Sequence, residues 1–312
     1  MLLTQAFKFP TTIVCVDDDQ AILDKLSEVL SVNHKVKCFL KPEKALEFLD
    51  SFKQPVSIPG LLNEVVDHEY FDTPNHTLVD LDISNIIKLA KNPKRHNQIA
   101  VLVLDYAFGA INGLEFCEKV QARPFKRILL TSELDHINAV GAFNRKAINC
   151  YVPKSSDDFV AVVAAEINLL EQQYFGEYTA GIIQHLELSN PLPISDPVFN
   201  NFFNNWVVMN QIKEYYLIDK NGSYLLIDQN KKKTLMVVHT DKSLDNLIDS
   251  YHDEDLAKNA IPYLKSRQKI PFFGLNTSPD DIAKSWDKYL HPAKVVDGKD
   301  RYYWSVVNIS KI

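Results

Sequence analysis

Glycine is scarce in this sequence, and its scarcity excludes two common kinds of nucleotide site. The chain has 312 residues, of which nine are glycine. It contains neither the P-loop, whose backbone cradles phosphates, nor the Gly-x-Gly-x-x-Gly turn that approaches a pyrophosphate. We therefore expect no mononucleotide or dinucleotide site built on these motifs.

Cysteine is also rare, and its spacing argues against disulfides and zinc. The four cysteines are Cys15, Cys38, Cys117 and Cys150, and none forms a Cys-x-x-Cys pair. Each lies in an apolar stretch. We expect free, buried thiols in a reducing cytoplasm.

The sequence has no excess of positive charge and no long apolar run. The formal net charge is −6, and the C-terminal third has nearly equal numbers of basic and acidic residues. No helix-turn-helix pattern with a basic recognition helix is present, so we expect no DNA binding. No apolar run approaches the roughly 20 residues that span a bilayer, and the first ten residues are too short and polar for a signal peptide. A cytoplasmic protein without a membrane segment is the expectation.

Five apolar segments in the first half alternate with helical patterns. The predicted strands cover residues 12–16, 35–39, 100–104, 127–130 and 148–152. Each is followed by a segment with apolar residues at helical spacing. This alternation predicts an α/β domain with a doubly wound, parallel five-stranded sheet and helices on both faces.

A segment of about 45 residues, 54–98, interrupts this alternation between the second helix and the third strand. We predict helices in it at about 60–69 and 82–92. His68, Glu69, Asp72 and His76 lie within it, but their spacing matches no common metal motif, so we interpret them as a solvated loop. The segment is also a candidate docking surface.

The composition changes after residue 175. Residues 176–197 have a helical start and a Pro-rich end, and we interpret them as a linker. Residues 198–312 predict an α+β domain with an antiparallel sheet of about five strands, because Asn221-Gly222 and Asp297-Gly298 separate strand-like segments. The order of elements is similar to that of PAS-like modules, which is an analogy of fold only.

Polar residues end four of the five predicted strands of the first domain. Asp17 and Asp18 follow the first strand, Asp105 the third, Thr131 the fourth and Lys154 the fifth. Ligands bind at the carboxyl ends of the strands in such sheets, so these side chains should converge. Clustered carboxylates repel one another, and Mg²⁺ with an ammonium group can compensate them. A carboxylate in this setting can act as a nucleophile toward phosphorus.

Four motifs carry a specific resemblance: IVCVDDD (13–19), VLVLDYAFGAINGLEF (101–116), ILLTSE (128–133) and YVPK (151–154). Residues 12–175 resemble the receiver domain of bacterial two-component response regulators, which has a flavodoxin-like fold, and we expect this domain to cover residues 1–175. The resemblance implies that Asp105 accepts a phosphoryl group from a histidine kinase or phosphotransfer protein. It implies a Mg²⁺ site formed by Asp17, Asp18, Asp105 and the backbone carbonyl of Ala107.

The same resemblance assigns three further roles. Thr131 would hydrogen-bond the phosphoryl group, Lys154 would neutralise it, and Tyr151 would be the switch aromatic. Gly113 matches the glycine that the family has eight residues after its phosphoacceptor. The sequence departs from the family at Phe108-Gly109, where Met-Pro is usual, and at Ser155, where Pro is usual.

The expected function is that of a response regulator that signals through protein contacts of its C-terminal domain. The expected partners are the kinase, a downstream protein and a second copy bound through the receiver domain. Three alternatives remain: a receiver that is not phosphorylated, an enzyme with an unrecognised active site in residues 198–308, and a phosphorylation-independent scaffold.

Overall fold

The structure is a computed structural model that describes residues 5–55, 64–66, 79–81, 83–108, 111–131, 136–187, 192–250, 260–274 and 286–309. The chain forms two compact units. The N-terminal unit comprises Phe9–Gly60 and Leu89–Tyr178. The C-terminal unit comprises Met1–Lys8, Leu61–Lys88 and Thr179–Ile312.

The N-terminal unit contains a five-stranded parallel sheet. Its strands are β2 (Thr12–Val16), β3 (Lys35–Phe39), β6 (Ile99–Asp105), β9 (Lys126–Thr131) and β10 (Cys150–Pro153). Their order is β10-β9-β6-β2-β3, and all neighbours are parallel. This is the flavodoxin-like order, in which the chain direction across the sheet reverses between β2 and β6. The predicted α/β fold with its five parallel strands is confirmed.

Helices connect these strands, and the described ones are α1 (Gln20–Leu30), α2 (Pro42–Ser51), α3 (Ser84–Lys91), α4 (Gly113–Lys119), α5 (His136–Asn144) and α6 (Phe159–Glu187). Side chains fix where two of them begin. Asp19 caps α1 by accepting a hydrogen bond from the Ala21 amide at 2.8 Å, and Asn112 caps α4 through the Glu115 amide at 2.9 Å. The chain therefore turns into a helix directly after the carboxyl end of β2.

The longest helix, α6, buries one face along its whole first half. Val163, Ile167, Leu170 and Tyr174 are at most 3% exposed, and their spacing of three or four residues is that of a helix face. The helix has 29 residues and continues from the N-terminal unit into residues of the C-terminal unit. We predicted a helix over 156–173, so the observed helix also takes in part of the predicted linker.

Nearly half of the segment 54–98 lies outside the described residues, including His68, Glu69, Asp72 and His76. The helix predicted at 82–92 is present as α3. Where a helix was predicted at 60–69, the described residues form a strand, β4 (Glu64–Val66), which pairs with β5 (Val79–Leu81). The β-branched Val65 and Val66 favour this extended form.

The C-terminal unit is built on an antiparallel sheet of six strands. They are β1 (Phe7–Lys8), β11 (Ile212–Leu217), β12 (Tyr224–Asp228), β13 (Lys233–Thr240), β16 (Lys294–Asp297) and β17 (Arg301–Asn308). Their order is β1-β11-β12-β13-β17-β16. The predicted antiparallel sheet is confirmed, and β1 is an additional strand from the start of the chain.

The remaining elements of this unit are short. They are the helices α7 (Pro197–Met209), α8 (Asp241–Ser250) and α9 (Ile261–Lys265) and a ribbon of β14 (Lys269–Pro271) with β15 (Leu290–Pro292). In the N-terminal unit, β7 (Ala107–Phe108) and β8 (Ile111–Asn112) form a second ribbon. None of the helices in the described part of the chain has the length and apolarity needed to cross a membrane.

Candidate functional site

The acidic side chains singled out in the sequence meet at the carboxyl ends of β2 and β6. Asp17 follows β2 directly, and Asp105 is the last residue of β6. One oxygen from each of Asp17, Asp18 and Asp105 lies within 4.8 Å of the other two. The cluster therefore occupies the point where the direction of the chain across the sheet reverses, which is the usual ligand position in this fold.

Burial differs within the cluster. Asp17 is 0% exposed and Asp105 is 6% exposed, whereas Asp18 is exposed to solvent. The Oδ1 atom of Asp17 accepts a hydrogen bond from the Asp19 amide at 2.9 Å, which fixes its carboxylate. Two carboxylates are thus held at the base of the cluster, with a third at its open side.

Lys154 is the cation of this site. Its Nζ lies 2.7 Å from Oδ2 of Asp17 and 2.7 Å from Oδ1 of Asp105. Burial alone would lower the pKa of this ammonium group, but the hydrogen bonds and charges of the two carboxylates outweigh burial, and the pKa is raised. The lysine is therefore protonated at neutral pH.

The pKa of the Asp105 carboxyl is also raised, but for this group the shift disfavours the charged form. Burial raises its pKa above the ordinary value, Lys154 acts to lower it, and the charge of Asp17 adds to the rise. Three carboxylates face one ammonium group, so negative charge remains in excess. A further cation at this position would relieve it.

Thr131 completes the arrangement at the end of β9. Its backbone carbonyl accepts a hydrogen bond from the Lys154 amide at 2.9 Å, which joins the ends of β9 and β10. Its hydroxyl is buried and has no hydrogen-bond partner among the described residues. A buried hydroxyl without a partner is costly, so this one is suited to a ligand oxygen.

The backbone around Asp105 leaves no room for a side chain at position 113, which is a glycine. A Cβ atom at this position would overlap the carbonyl oxygen of Asp105 and would lie 2.7 Å from Cδ1 of Leu129. The Gly113 amide donates to the carbonyl oxygen of Tyr106 at 2.7 Å. The glycine thus allows α4 to start close against the strand that carries Asp105.

The loop after Asp105 is a narrow ribbon. Ala107 is exposed and pairs with Asn112, and Phe108 pairs with Ile111. Phe108 is 2% exposed and packs edge-on against Phe116, with ring centroids 6.0 Å apart. The departure from the family pattern at Phe108 is therefore part of the apolar core.

Tyr151 lies in β10, where it pairs in register with Leu129 and packs half-buried against the core. Ser155, the other departure, follows Lys154 directly, and Lys154 still reaches both carboxylates. The structure brings Asp17, Asp18, Asp105 and Lys154 together, with Thr131 at the neighbouring strand end. Ala107 lies in the adjoining ribbon.

The donors present fit Mg²⁺. Carboxylate oxygens and backbone carbonyls are the hard ligands that this ion prefers, and it usually takes one or two carboxylates together with waters and phosphate oxygens. Asp17, Asp18 and Asp105 supply the carboxylates. The unpaired hydroxyl of Thr131 fits an anionic ligand next to such an ion.

A second group of buried polar residues was not predicted from the sequence. Glu171 of α6 is 2% exposed, accepts a hydrogen bond from the Thr11 hydroxyl and lies 3.3 Å from Nδ1 of His34. Its place on the apolar face of α6, four residues after Ile167, was a sequence signal for burial. This group ties α6 to the start of β2 within the N-terminal unit.

The cysteines differ from the prediction in their exposure. All four are free, as expected, but Cys38 is exposed and Cys150 is half-exposed. The reason for Cys38 is that β3 is the end strand of the described sheet. The apolar residues next to Cys38 in the sequence therefore did not imply that Cys38 itself is buried.

Comparison with known proteins gives similarity of structure only. The sequence matches no protein family profile and no curated protein. The response regulator LqsR of Legionella pneumophila aligns with 99% of this chain and 90% of its own, with a TM-score of 0.76 and 24% identity.

Isolated receiver domains match about half of the chain. The BeF3-activated receiver domain of DrrB covers 52% of it with 23% identity and a TM-score of 0.34. A CheY-like receiver domain protein from Methanospirillum hungatei covers 54% with 16% identity and a TM-score of 0.36. The chain therefore has the same fold as the response regulator LqsR, with a flavodoxin-like parallel sheet in one unit and an antiparallel sheet in the other.

Proposed function

We propose that this protein is a phosphoaccepting response regulator whose acceptor is Asp105. The observation that carries the proposal is the position of Lys154, which contacts both Asp105 and Asp17 at 2.7 Å. Thr131, at the end of the neighbouring strand, has a buried hydroxyl without a hydrogen-bond partner among the described residues. Such an arrangement holds a nucleophilic carboxylate, a cation and a hydrogen-bond donor at one strand edge.

In the proposed reaction an Asp105 oxygen attacks the phosphorus of a phosphohistidine on a histidine kinase or phosphotransfer protein. A phosphorus–oxygen bond forms, the phosphorus–nitrogen bond breaks, and the imidazole leaves with its electron pair. Lys154 stays near the new phosphoryl oxygens, and the Thr131 hydroxyl donates a hydrogen bond to one of them.

The proposed cofactor is Mg²⁺, held by Asp17, Asp18, Asp105 and the carbonyl of Ala107. When bound, it supplies positive charge that offsets the charge of the transferred group. Asp17 and Asp18 bind the ion in this proposal, and the amide of Asp19 keeps Asp17 oriented.

The proposed output is a change in protein contacts. Phosphorylation draws Thr131 toward the phosphoryl group, and Tyr151 on the neighbouring strand adjusts to the vacated space. The continuous helix α6 starts six residues after β10 and carries the change toward the C-terminal unit. The proposed partners are a downstream protein and a second copy of the chain.

Labelling with acetyl phosphate and Mg²⁺ tests the proposal. Wild type and Asp105→Asn are compared, with Asp24→Asn as the matched control because Asp24 is an exposed aspartate on α1. Wild type and Asp24→Asn should be labelled, and Asp105→Asn should not. Equal labelling of all three, or no labelling of a folded wild type, contradicts the assignment.

A second candidate function has one observation in its favour. The C-terminal unit has a cavity of about 600 Å³, and its lining includes Phe272 and Phe273 together with His239 and Ser243. This is the size of a small-molecule site, and it favours an output domain that binds or transforms a ligand.

Thermal unfolding with a library of small compounds tests this candidate. Asn246 lines the cavity and is exposed, so Asn246→Trp should narrow the cavity without disturbing the core. A compound that raises the unfolding temperature of wild type but not of Asn246→Trp supports a ligand site. Equal shifts in both proteins argue against it.

A further inference from the structure

Two of the four cysteines lie opposite each other on neighbouring strands. Cys15 of β2 and Cys38 of β3 are partners in the parallel register. Neighbouring strands are about 4.8 Å apart, and residues in register point to the same face of the sheet. Disulfides form at Cα separations of about 4.4–6.8 Å, so this pair is placed for a bond without a large backbone movement.

The two thiols have different access to solvent. Cys15 is 0% exposed, whereas Cys38 is exposed on the end strand of the described sheet. The Sγ atom of Cys38 lies 3.9 Å from the carbonyl oxygen of Leu23, next to α1. An oxidant in solution therefore reaches Cys38 first, and Cys15 is the thiol directly behind it.

The acidity of the thiols agrees with this order. The hydrogen bond between the two thiols lowers the pKa of Cys38, and this effect outweighs burial and the charge of Asp24, which act to raise it. The same hydrogen bond, together with burial, raises the pKa of Cys15. Burial raises the pKa of Cys117 and of Cys150 to about 12. Thiolates are the reactive form, so Cys38 should react before these two.

We propose that Cys38 and Cys15 form a redox modification site, in which a hydroperoxide oxidises Cys38 and Cys15 then closes a reversible disulfide. This assignment needs only the two thiols and the peroxide, so it is independent of phosphorylation at Asp105.

The chemistry has two steps. The Cys38 thiolate attacks one peroxide oxygen, the oxygen–oxygen bond breaks, and hydroxide or alkoxide leaves. The sulfur becomes a sulfenic acid, oxidised by two electrons, and the peroxide is reduced. The sulfur of Cys15 then attacks that of Cys38, the sulfur–oxygen bond breaks, and the hydroxyl leaves as water with the proton of Cys15.

A bond between adjacent parallel strands constrains the geometry of the bridge, and constrained disulfides are more easily reduced. The bridge would lie two residues before Asp17. We therefore expect a dithiol reductant to restore both thiols.

The test is treatment of the full-length protein with a small excess of hydrogen peroxide, followed by thiol counting and peptide mass spectrometry. Two of the four thiols should be lost, peptides containing Cys15 and Cys38 should be linked, and dithiothreitol should reverse both changes. Cys150→Ser, which changes a half-exposed cysteine outside the pair, should behave like wild type.

Cys38→Ser is the decisive variant because Cys38 is exposed and its replacement should leave the fold intact. It should lose the linkage and retain its remaining thiols at the same peroxide dose. A folded wild type in which Cys38 is oxidised without becoming linked to Cys15 would overturn the proposal. So would a wild type in which Cys117 or Cys150 reacts first.

Discussion

The ammonium nitrogen of Lys154 lies at the same distance, 2.7 Å, from carboxylate oxygens of Asp17 and Asp105. Asp17 follows β2, Asp105 is the last residue of β6, and Lys154 follows β10. One side chain therefore holds together the ends of three strands and offsets part of the negative charge of two buried carboxylates.

Replacing this lysine should slow phosphoryl acceptance. Lys154→Met keeps most of the side-chain length but removes the charge, and we expect labelling by acetyl phosphate to be roughly 100-fold slower, as for other lost electrostatic groups. Lys44→Met is the control, because Lys44 is an exposed lysine on α2. Equal rates in the two variants would show that Lys154 has no role in the transfer.

Thr131→Val should make the protein more stable but reduce its phosphorylation. The hydroxyl of Thr131 is buried and has no partner in the part of the chain that the structure describes, so removing it should raise the free energy of unfolding by about 1 kcal/mol. The same change should reduce phosphorylation, since the hydrogen bond to the phosphoryl group is lost. Urea unfolding and labelling measure the two effects.

Thr12→Val is the matched control for that variant. Thr12 is also a buried strand threonine, but its hydroxyl donates to the carbonyl oxygen of His96 at 2.8 Å. Its replacement should lower the free energy of unfolding by about 1 kcal/mol and leave labelling unchanged. The proposed role of Thr131 fails if both variants lose stability and keep labelling.

Two glycine-to-alanine changes should have opposite effects on the free energy of unfolding. Gly113→Ala places a Cβ atom against the backbone of Asp105 and should cost about 1–3 kcal/mol of unfolding free energy. Gly176→Ala, in α6, brings the new Cβ within 4 Å of no described atom beyond its chain neighbours and its own helix backbone, and it should stabilise by about 0.5–1 kcal/mol. Urea unfolding of both variants checks the difference in sign.

The C-terminal unit should lose stability in mild acid. Burial lowers the pKa of His239, and the charge of Asp219 and the carbonyl of Pro271 only partly oppose this effect. An unfolded histidine has a pKa of about 6.5, so the unfolded state binds more protons once the pH falls below that value. The stability that neutral His239 contributes is present above pH ~6.5 and is lost as the pH falls through the folded-state pKa.

His239→Gln removes this titration and should flatten the dependence of unfolding free energy on pH between about 7 and 5. His291, whose pKa burial also lowers, accounts for part of the remaining slope. An unchanged slope in a variant that carries both His239→Gln and His291→Gln would show that other groups govern the acid sensitivity.

The parallel sheet could be predicted from the sequence because its strands are easy to recognise. IVCV and AVLVL are continuous apolar runs that end in aspartate, and a run of this kind fits a strand covered on both faces. The site followed from the same feature, since the polar residue after each run falls at one edge. The ion pairs of Lys154, and the lack of a hydrogen-bond partner for the Thr131 hydroxyl among the described residues, depend on side-chain geometry, which the pattern does not contain.

The sequence did not predict β1. Phe7–Lys8 is a strand of two residues, too short to show alternation, and its partners Tyr216 and Tyr215 are about 200 positions away. The same limit applies to Glu171, whose partners Thr11 and His34 lie far away in the sequence.

The position of β1 constrains how the C-terminal unit can be produced. Tyr215 donates its hydroxyl hydrogen to the buried Gln5 side chain, and Tyr224 donates to the Gln5 backbone carbonyl. During synthesis β1 leaves the ribosome long before its partners do, so this sheet is completed only after β17 has been translated. A fragment that starts at the linker would expose the edge of β11 and leave both phenol groups without these acceptors, and it should aggregate unless residues 5–8 are supplied, for example by fusion to its own amino end.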